Sequence, residues 1–67
     1  MSFGEDRVRI SFNPSSDPQV EQVKRSAADL IDLCEDFKSL DPRCAALAQT
    51  AFEEGAMWAV KAATAKK

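Results

Sequence analysis

The chain has 67 residues, which allows one domain near the lower size limit for independent folding, without room for a large private core. It contains no histidine and only two cysteines, so the usual four ligands of a structural zinc site are missing. A formal net charge of −2 argues against a general nucleic-acid-binding protein, because such proteins normally present a broad basic surface.

The N-terminal stretch, residues 1–15, is predicted to form a short extended arm. Residues 1–6 are polar and are expected to fray. In Arg7–Phe12 apolar and polar residues alternate strictly, with Val8 and Ile10 on the apolar side, which is typical of a half-buried extended segment. Because the sequence offers no second strand, this arm must lie on helices or pair with its copy in another subunit.

A first helix is predicted over about residues 17–38, after a break at Asn13–Pro18. Ser16 or Asp17 caps its start, and Pro18 suits its first turn. Apolar residues then step by three and four and form a narrow seam of Val20, Val23, Ala27, Leu30, Cys34 and Phe37, which Ile31 and Leu33 widen at one end. The opposite face is expected to be solvated, with Glu21, Gln22, Arg25, Asp29, Asp32, Glu35 and Asp36.

A second helix is predicted over about residues 42–65, with Asp41 as its N-cap and Pro42 in its first position. It carries two apolar stripes, and one short partner cannot cover both. One is a seam of mostly small residues, Cys44, Ala48, Ala51, Gly55, Trp58, Ala62 and Ala65; the other is Phe52, Ala56, Ala59, Val60 and Ala63. The short turn at Lys38–Pro42 makes the two helices antiparallel neighbours.

The predicted fold is therefore all-α: one domain over residues 1–67, with a short extended N-terminal arm followed by an antiparallel helical hairpin. Because a hairpin of this size leaves apolar surface uncovered, we expect it to assemble into a homo-oligomer. Gly55 in mid-helix costs about 1 kcal/mol relative to alanine, which a close crossing between two helices would offset. The other interpretation is that Gly55 accommodates the arm of its own subunit.

Cys34 and Cys44 flank the predicted turn and could approach each other. Two thiols in a chain without a secretory signal are more often reduced and buried as small hydrophobic residues, with a disulfide as the alternative. No apolar run approaches the roughly 18 residues that a membrane span needs, and the N-terminus lacks the apolar region of a signal peptide. We therefore expect a cytosolic protein.

The residue types that enzymes use are mostly missing. There is no histidine, no Gly-rich phosphate loop and no recognisable Ser/Lys pairing. Glu53 and Glu54 are adjacent, so on a helix their side chains point about 100° apart and cannot form a facing catalytic pair. One of them is expected to form at most a structural ion pair with the other helix of the hairpin. We predict a binding protein with no catalytic residue, no metal and no cofactor.

Residues suited to binding a small nucleotide lie in the arm and near the starts of the helices. Aromatic faces stack bases, amides read donor and acceptor edges, and cations neutralise phosphates. The set is Phe12, Asn13, Pro14, Lys24, Arg25 and Arg43. Because these cations are few and local, a small phosphorylated nucleotide fits better than a polymer. The plainer interpretation makes Phe12 the last core contact of the arm and leaves Lys24 and Arg25 exposed.

Several motifs appear together between Phe12 and Ala62. Arg43 is followed by Leu47-Ala48-Gln49-Thr50 and then by Glu53-Glu54-Gly55-Ala56-Met57-Trp58-Ala59. An aromatic-x-Pro element, Phe12-Asn13-Pro14, precedes a first helix that carries Lys24 and Arg25. This combination resembles the small phage anti-CBASS cyclic-nucleotide sponges, an αα-hairpin family shared with sponges that act against Thoeris signalling. The Glu-Glu pair and the Met-Trp-Ala of the family's closing helix are the most specific part.

The resemblance implies a non-enzymatic protein that sequesters cyclic oligonucleotide messengers in the cytoplasm of the infected bacterial host. It implies a hexamer built from dimers, with pockets between subunits for cyclic dinucleotides such as cGAMP and separate pockets for cyclic trinucleotides. Phe12 would stack a base, Asn13 and Pro14 would shape the pocket, and Lys24 or Arg25 would contact phosphate. Arg43 and Thr50 would serve the trinucleotide site.

Other functions remain open at the level of the sequence. The family's aromatic residue is commonly tyrosine, and Phe12 lacks the hydroxyl, so the preference among dinucleotides is not set. The ligand could instead be a cyclised ADP-ribose signal of Thoeris defence. A different class of function is a small helical adaptor whose Phe52 and Trp58 surface binds a protein and which ignores nucleotides.

Overall fold

The computed structural model describes residues 2–8 and 17–65, and they form three helices with no strand among them. They are α1 (Phe3–Val8), α2 (Pro18–Glu35) and α3 (Pro42–Ala63). The all-helical class is therefore confirmed for these residues, with a short helix where the arm was expected to begin. Within the same ranges, no helix combines the length and the apolar character that crossing a bilayer requires.

Helix α1 begins with a reciprocal capping arrangement between Ser2 and Glu5. The Ser2 backbone N–H donates to Glu5 Oε1 at 2.7 Å, and the Glu5 N–H donates to Ser2 Oγ at 3.1 Å. This pairing satisfies donors that a helix start otherwise leaves unpaired. The expected fraying of residues 1–6 is thus wrong for Phe3–Asp6, and so is an extended conformation at Arg7 and Val8. The rest of the predicted extended segment, Arg9 to Phe12, lies outside the described residues.

The two long helices begin where the sequence predicts. Asp17 caps α2, its carboxylate accepting from Gln19 N at 2.8 Å, and Asp41 caps α3, accepting from Cys44 N at 3.0 Å. A proline follows each cap, at a position where the helix needs no N–H donor. Between the helices, the Phe37 carbonyl accepts from the backbone of Leu40 and Asp41 in a tight turn.

The core is centred on Ile31 of α2, which is fully buried. Its apolar neighbours in the buried cluster are Val8, Ala27, Ala28 and Ala56, with Val23 and Phe52 packed against them. The predicted seam of α2 is wrong at Leu30 and Phe37, which are 43% and 45% exposed. The reason is that α1 packs along α2, so that the buried stripe is rotated towards Ala28.

Helix α1 lies on part of the α2 face that was expected to be solvated. The Gly4 N–H donates to Asp32 Oδ1 at 2.6 Å, and Arg25 pairs with Glu5 at 2.7 Å. A Cβ on Gly4 would lie 2.1 Å from the Ala28 carbonyl oxygen. Only glycine allows the two backbones to approach this closely.

Helix α3 turns its second predicted stripe towards the core: Ala56 is buried, and Phe52, Ala59, Val60 and Ala63 are partly buried. The seam of mostly small residues is largely exposed, at Cys44, Ala51, Gly55, Trp58, Ala62 and Ala65. One neighbouring helix therefore covers only one of the two stripes, as predicted. Both cysteines are free, but only Cys34 is buried, so the prediction of a buried thiol is wrong for Cys44.

A buried amide joins α2 and α3 next to the turn. Gln49 is 1% exposed, and its Nε2 donates to the Ile31 carbonyl at 3.0 Å and to Glu35 Oε2 at 2.6 Å. At the other end of the hairpin, Gln19 and Ala63 line one groove. The hydrogen bonds of Gln49 near the turn and the shared groove at the far end show that α2 and α3 run antiparallel.

Candidate functional site

The three helices enclose a cleft of about 320 Å³ on the side of the hairpin where α1 ends. We call it the α1 cleft. Its walls combine charged and apolar side chains from all three helices: Arg7, Val8, Lys24, Glu53, Ala56, Met57 and Val60. Two cations beside an apolar wall suit an anionic ligand that also carries a flat or apolar group.

Lys24 lies in this cleft because of its position on α2. Its spacing from Val20, Ala28 and Ile31 follows the helical repeat, which places it on the buried stripe. Lys24 is only 7% exposed. The plainer interpretation of Lys24 as a solvated helix residue is therefore wrong. The side chain therefore lines the cleft instead of extending into solvent, which makes it a candidate for contacting an anionic ligand.

Arg7 is the second cation of the α1 cleft, and Glu53 holds it. Arg7 Nε donates to Glu53 Oε1 at 2.7 Å, and Arg7 Nη2 lies 2.5 Å from the same oxygen. The Phe3 ring lies beneath the guanidinium, 5.3 Å from centroid to Cζ. The sequence predicted that Glu53 or Glu54 would pair with the other helix of the hairpin, whereas Glu53 pairs with α1.

The Glu5–Arg25 ion pair secures α1 on α2 outside the lining of the cleft. Hydrogen bonds from the Ser2 backbone and from the Arg25 side chain lower the pKa of Glu5 below its usual value. The Arg25 side chain is 50% exposed, and pairing with Glu5 raises its pKa. Of the two adjacent basic residues predicted to contact phosphate, the fold brings Lys24 into the cleft and keeps Arg25 outside its lining.

The other predicted site residues divide into two groups. Phe12, Asn13 and Pro14 lie outside the described residues. Arg43 and Thr50 are exposed on α3 and do not line the α1 cleft. They lie seven positions apart, which places them on one face of the helix two turns from each other.

Sequence reasoning missed Arg7, which it assigned to the polar side of an extended segment. A signal for the correct assignment is present in Ser2-Phe3-Gly4-Glu5, which has the Ser-x-x-Glu spacing of a capping box. A helix starting there places Arg7 in its last turn, next to the hairpin.

A second concave surface lies between α2 and α3, and we call it the open groove. It is shallow, encloses about 770 Å³, and is lined mainly by apolar residues that include Val23, Leu30, Phe52, Gly55, Ala59 and Ala62. A Cβ placed on Gly55 meets no described atom within 4 Å. Space for a closely approaching helix therefore exists at this position.

The structure shows no candidate metal centre within the part of the chain it describes. In residues 2–8 and 17–65, no three histidine, cysteine or acidic side chains come close enough together to hold an ion.

Comparison with known proteins identifies the family. Neither the curated proteins nor the solved structures include a match to this chain. The family model described as "Acb2/Tad1, hairpin domain" matches residues 5–64, which include α2, α3 and most of α1. The chain therefore belongs to the Acb2/Tad1 hairpin family of anti-CBASS and anti-Thoeris sponges, as its sequence predicted, and this membership implies a phage sponge that binds cyclic nucleotide signals.

Proposed function

We propose that this protein binds cyclic di- and trinucleotide messengers in the cytoplasm of the infected host and thereby blocks CBASS signalling, leaving the nucleotides chemically unchanged. The observation that carries the proposal is the position of Lys24, a nearly buried cation in a cleft whose walls combine charged and apolar side chains. Family membership supplies the class of ligand, and the α1 cleft supplies a place for its phosphate.

The predicted base-stacking residue is close to this cleft along the chain. Phe12 follows the cleft residue Val8 by four positions, so even a fully extended chain keeps it within about 14 Å. In the proposal Phe12 stacks a base, Asn13 and Pro14 shape the pocket around it, and Lys24 contacts a phosphate. Arg25 is not assigned to phosphate, because it pairs with Glu5 outside the cleft lining.

The proposed pocket is completed by a second copy of the chain. The α1 cleft, at about 320 Å³, is at the lower end of the range of ligand pockets, roughly 300–1,000 Å³, and a sponge must enclose its ligand. The open groove offers an apolar surface for the pairing of subunits. We therefore propose dimers that assemble into a hexamer, with cyclic dinucleotides held between subunits.

A separate site is proposed for cyclic trinucleotides. Arg43 and Thr50 share an exposed face of α3, and Leu47 between them is 59% exposed. This face combines a cation, a hydroxyl and an apolar surface, and it does not overlap the α1 cleft. Arg43→Gln is therefore expected to weaken trinucleotide binding while dinucleotide binding persists.

The test compares Lys24→Met with Lys61→Met by isothermal titration calorimetry, using cGAMP, a cyclic trinucleotide and a cyclised ADP-ribose. Methionine keeps the length of the side chain and removes its charge, so Lys24→Met is expected to weaken cGAMP binding by about tenfold or more. Lys61 is exposed on the last turn of α3, and its variant is expected to bind like the wild type.

Three results would contradict the proposal. Equal affinities of the two lysine variants would remove the assigned role of Lys24. Binding of only the cyclised ADP-ribose would indicate a Thoeris sponge. No binding of any nucleotide would favour the adaptor, whose Trp58 surface is 64% exposed.

A further inference from the structure

We infer that Arg7 is a second phosphate-binding residue of the α1 cleft, where it also pairs with Glu53. This inference rests on the proposed function and names a residue that the sequence did not assign to the site. It follows from the contacts that hold Arg7 in the lining of the same cleft as Lys24.

Helix α1 is secured so that its last turn faces the cleft. Gly4 bonds to Asp32 at 2.6 Å near one end of the helix, and Arg7 pairs with Glu53 at the other. The side chain of Arg7 therefore does not extend freely into solvent. The side chain is 27% exposed and lines the cleft, so part of it is accessible there.

The geometry of the Arg7–Glu53 pair leaves donors for a ligand. Glu53 is contacted by Nε and Nη2, which form one edge of the planar guanidinium. Arginine has five N–H donors in a fixed fork, and the remaining donors, including those of Nη1, point away from that edge. A phosphate oxygen can accept from them while Glu53 keeps its contact.

The charge of the cleft also suits a phosphodiester. Lys24 and Arg7 contribute two positive charges and Glu53 one negative charge, so their net charge is positive by one. One phosphodiester carries one negative charge, so two cations in the lining have the sign that attracts it.

The competing explanation is that Arg7 and Glu53 only attach α1 to α3. The two explanations differ in what the removal of Glu53 should do. If the pair is purely structural, Glu53→Gln and Arg7→Gln both remove the ion pair between α1 and α3, and both should weaken cGAMP binding. If Arg7 binds phosphate, Glu53→Gln keeps the cation and removes a carboxylate that repels the ligand.

The experiment measures cGAMP affinity by calorimetry for the wild type, Arg7→Gln, Glu53→Gln and the control Lys61→Gln. Loss of a charged hydrogen bond predicts about tenfold weaker binding for Arg7→Gln, whereas Glu53→Gln should bind at least as tightly as the wild type. Lys61→Gln removes one exposed positive charge of α3 and should bind like the wild type.

Equal losses in the two cleft variants, or unchanged binding by Arg7→Gln, would overturn the inference while leaving the proposed function intact. A wild type that binds no cyclic nucleotide would overturn both. Circular dichroism establishes whether each variant keeps its helices. If Arg7→Gln does not fold, the cGAMP affinity of Glu53→Gln still distinguishes the two explanations. Binding at least as tight as that of the wild type supports the inference, and a loss of affinity in a folded Glu53→Gln variant overturns it.

Discussion

Gln49 makes the polar contact on which the closed end of the hairpin depends. It is buried, and its amide donates to Glu35 Oε2 as well as to the Ile31 carbonyl. A buried amide is costly unless its donors find acceptors. This hydrogen bond from Gln49, and then that from Lys38, lowers the pKa of Glu35 below its ordinary value of 4.5. The ionised carboxylate therefore stabilises the folded state more than the unfolded one.

We expect the free energy of unfolding to fall in acid partly through Glu35. Because its folded pKa lies below 4.5, its contribution is present above about pH 4.5 and is lost as the pH falls through the lower folded value. Glu35→Gln should flatten this dependence. Urea denaturation between about pH 3 and pH 7 measures it.

The control for this prediction is Glu54→Gln, which removes an exposed carboxylate of α3 that makes no contact with Gln49. The free energy of unfolding of Glu54→Gln should depend on pH in the same way as that of the wild type. Superimposable profiles for Glu35→Gln and the wild type would contradict the assigned role of Glu35.

At the level of residues, the sequence predicts best where a side chain acts on its own backbone. Asp17 and Asp41 cap helices through local hydrogen bonds, and both are found where the sequence places them. The burial of Lys24 and Gln49 was missed because it depends on neighbours that are distant along the chain. A polar residue on a helix is normally assigned to solvent, and only the packed partner shows otherwise.

At the level of elements, α1 shows how two local patterns can compete. The alternation in Arg7–Phe12 favours an extended segment, whereas Ser2 and Glu5 favour a helix start. The helix is observed over Phe3–Val8, where the cap and the contacts with α2 and α3 reinforce each other. A six-residue helix is unstable alone, so its existence depends on this docking.

Gly4→Ala is expected to undock α1. The added Cβ would lie 2.1 Å from the backbone oxygen of Ala28, which cannot move without distorting α2. Overpacking of this kind destabilises by about 1–3 kcal/mol. Thermal unfolding measures the loss, and faster tryptic cleavage after Arg7 would locate it in α1.

Asp6→Ala provides the matched control, since it introduces the same residue at an exposed position of the same helix. It should change the free energy of unfolding far less than Gly4→Ala. If the two variants have the same free energy of unfolding, the close approach of α1 to α2 at Gly4 does not stabilise the fold in the way proposed.

At the level of the whole molecule, the described helices leave large apolar side chains in water. Leu40, Met57 and Trp58 are 81%, 66% and 64% exposed, and Leu47 is 59% exposed. The contacts of α1 and α2 with α3 do not cover them. Association of copies would remove this surface from water.

Gly55 offers the most direct test of that association, because it distinguishes contacts within a chain from contacts between chains. A Cβ at this position meets no described atom within 4 Å outside its own turn of helix, yet the position lines the open groove. Gly55→Leu is therefore expected to keep the helical circular dichroism spectrum of the wild type. If a second helix crosses at Gly55, the same substitution should block its approach and reduce the oligomer to smaller species in native mass spectrometry.

Ala46→Leu serves as the control, because it replaces a methyl group with the same isobutyl group at an exposed position of α3 that lines neither the α1 cleft nor the open groove. It should leave the oligomer unchanged. An oligomer that survives Gly55→Leu would place the subunit contact elsewhere, and a loss of helical signal would indicate that Gly55 instead accommodates its own chain. The Gly55→Leu variant could lose both its assembly and its binding of cGAMP while it keeps its helices. Each folded hairpin would then still carry Lys24, so the loss of binding would show that the ligand is held between subunits.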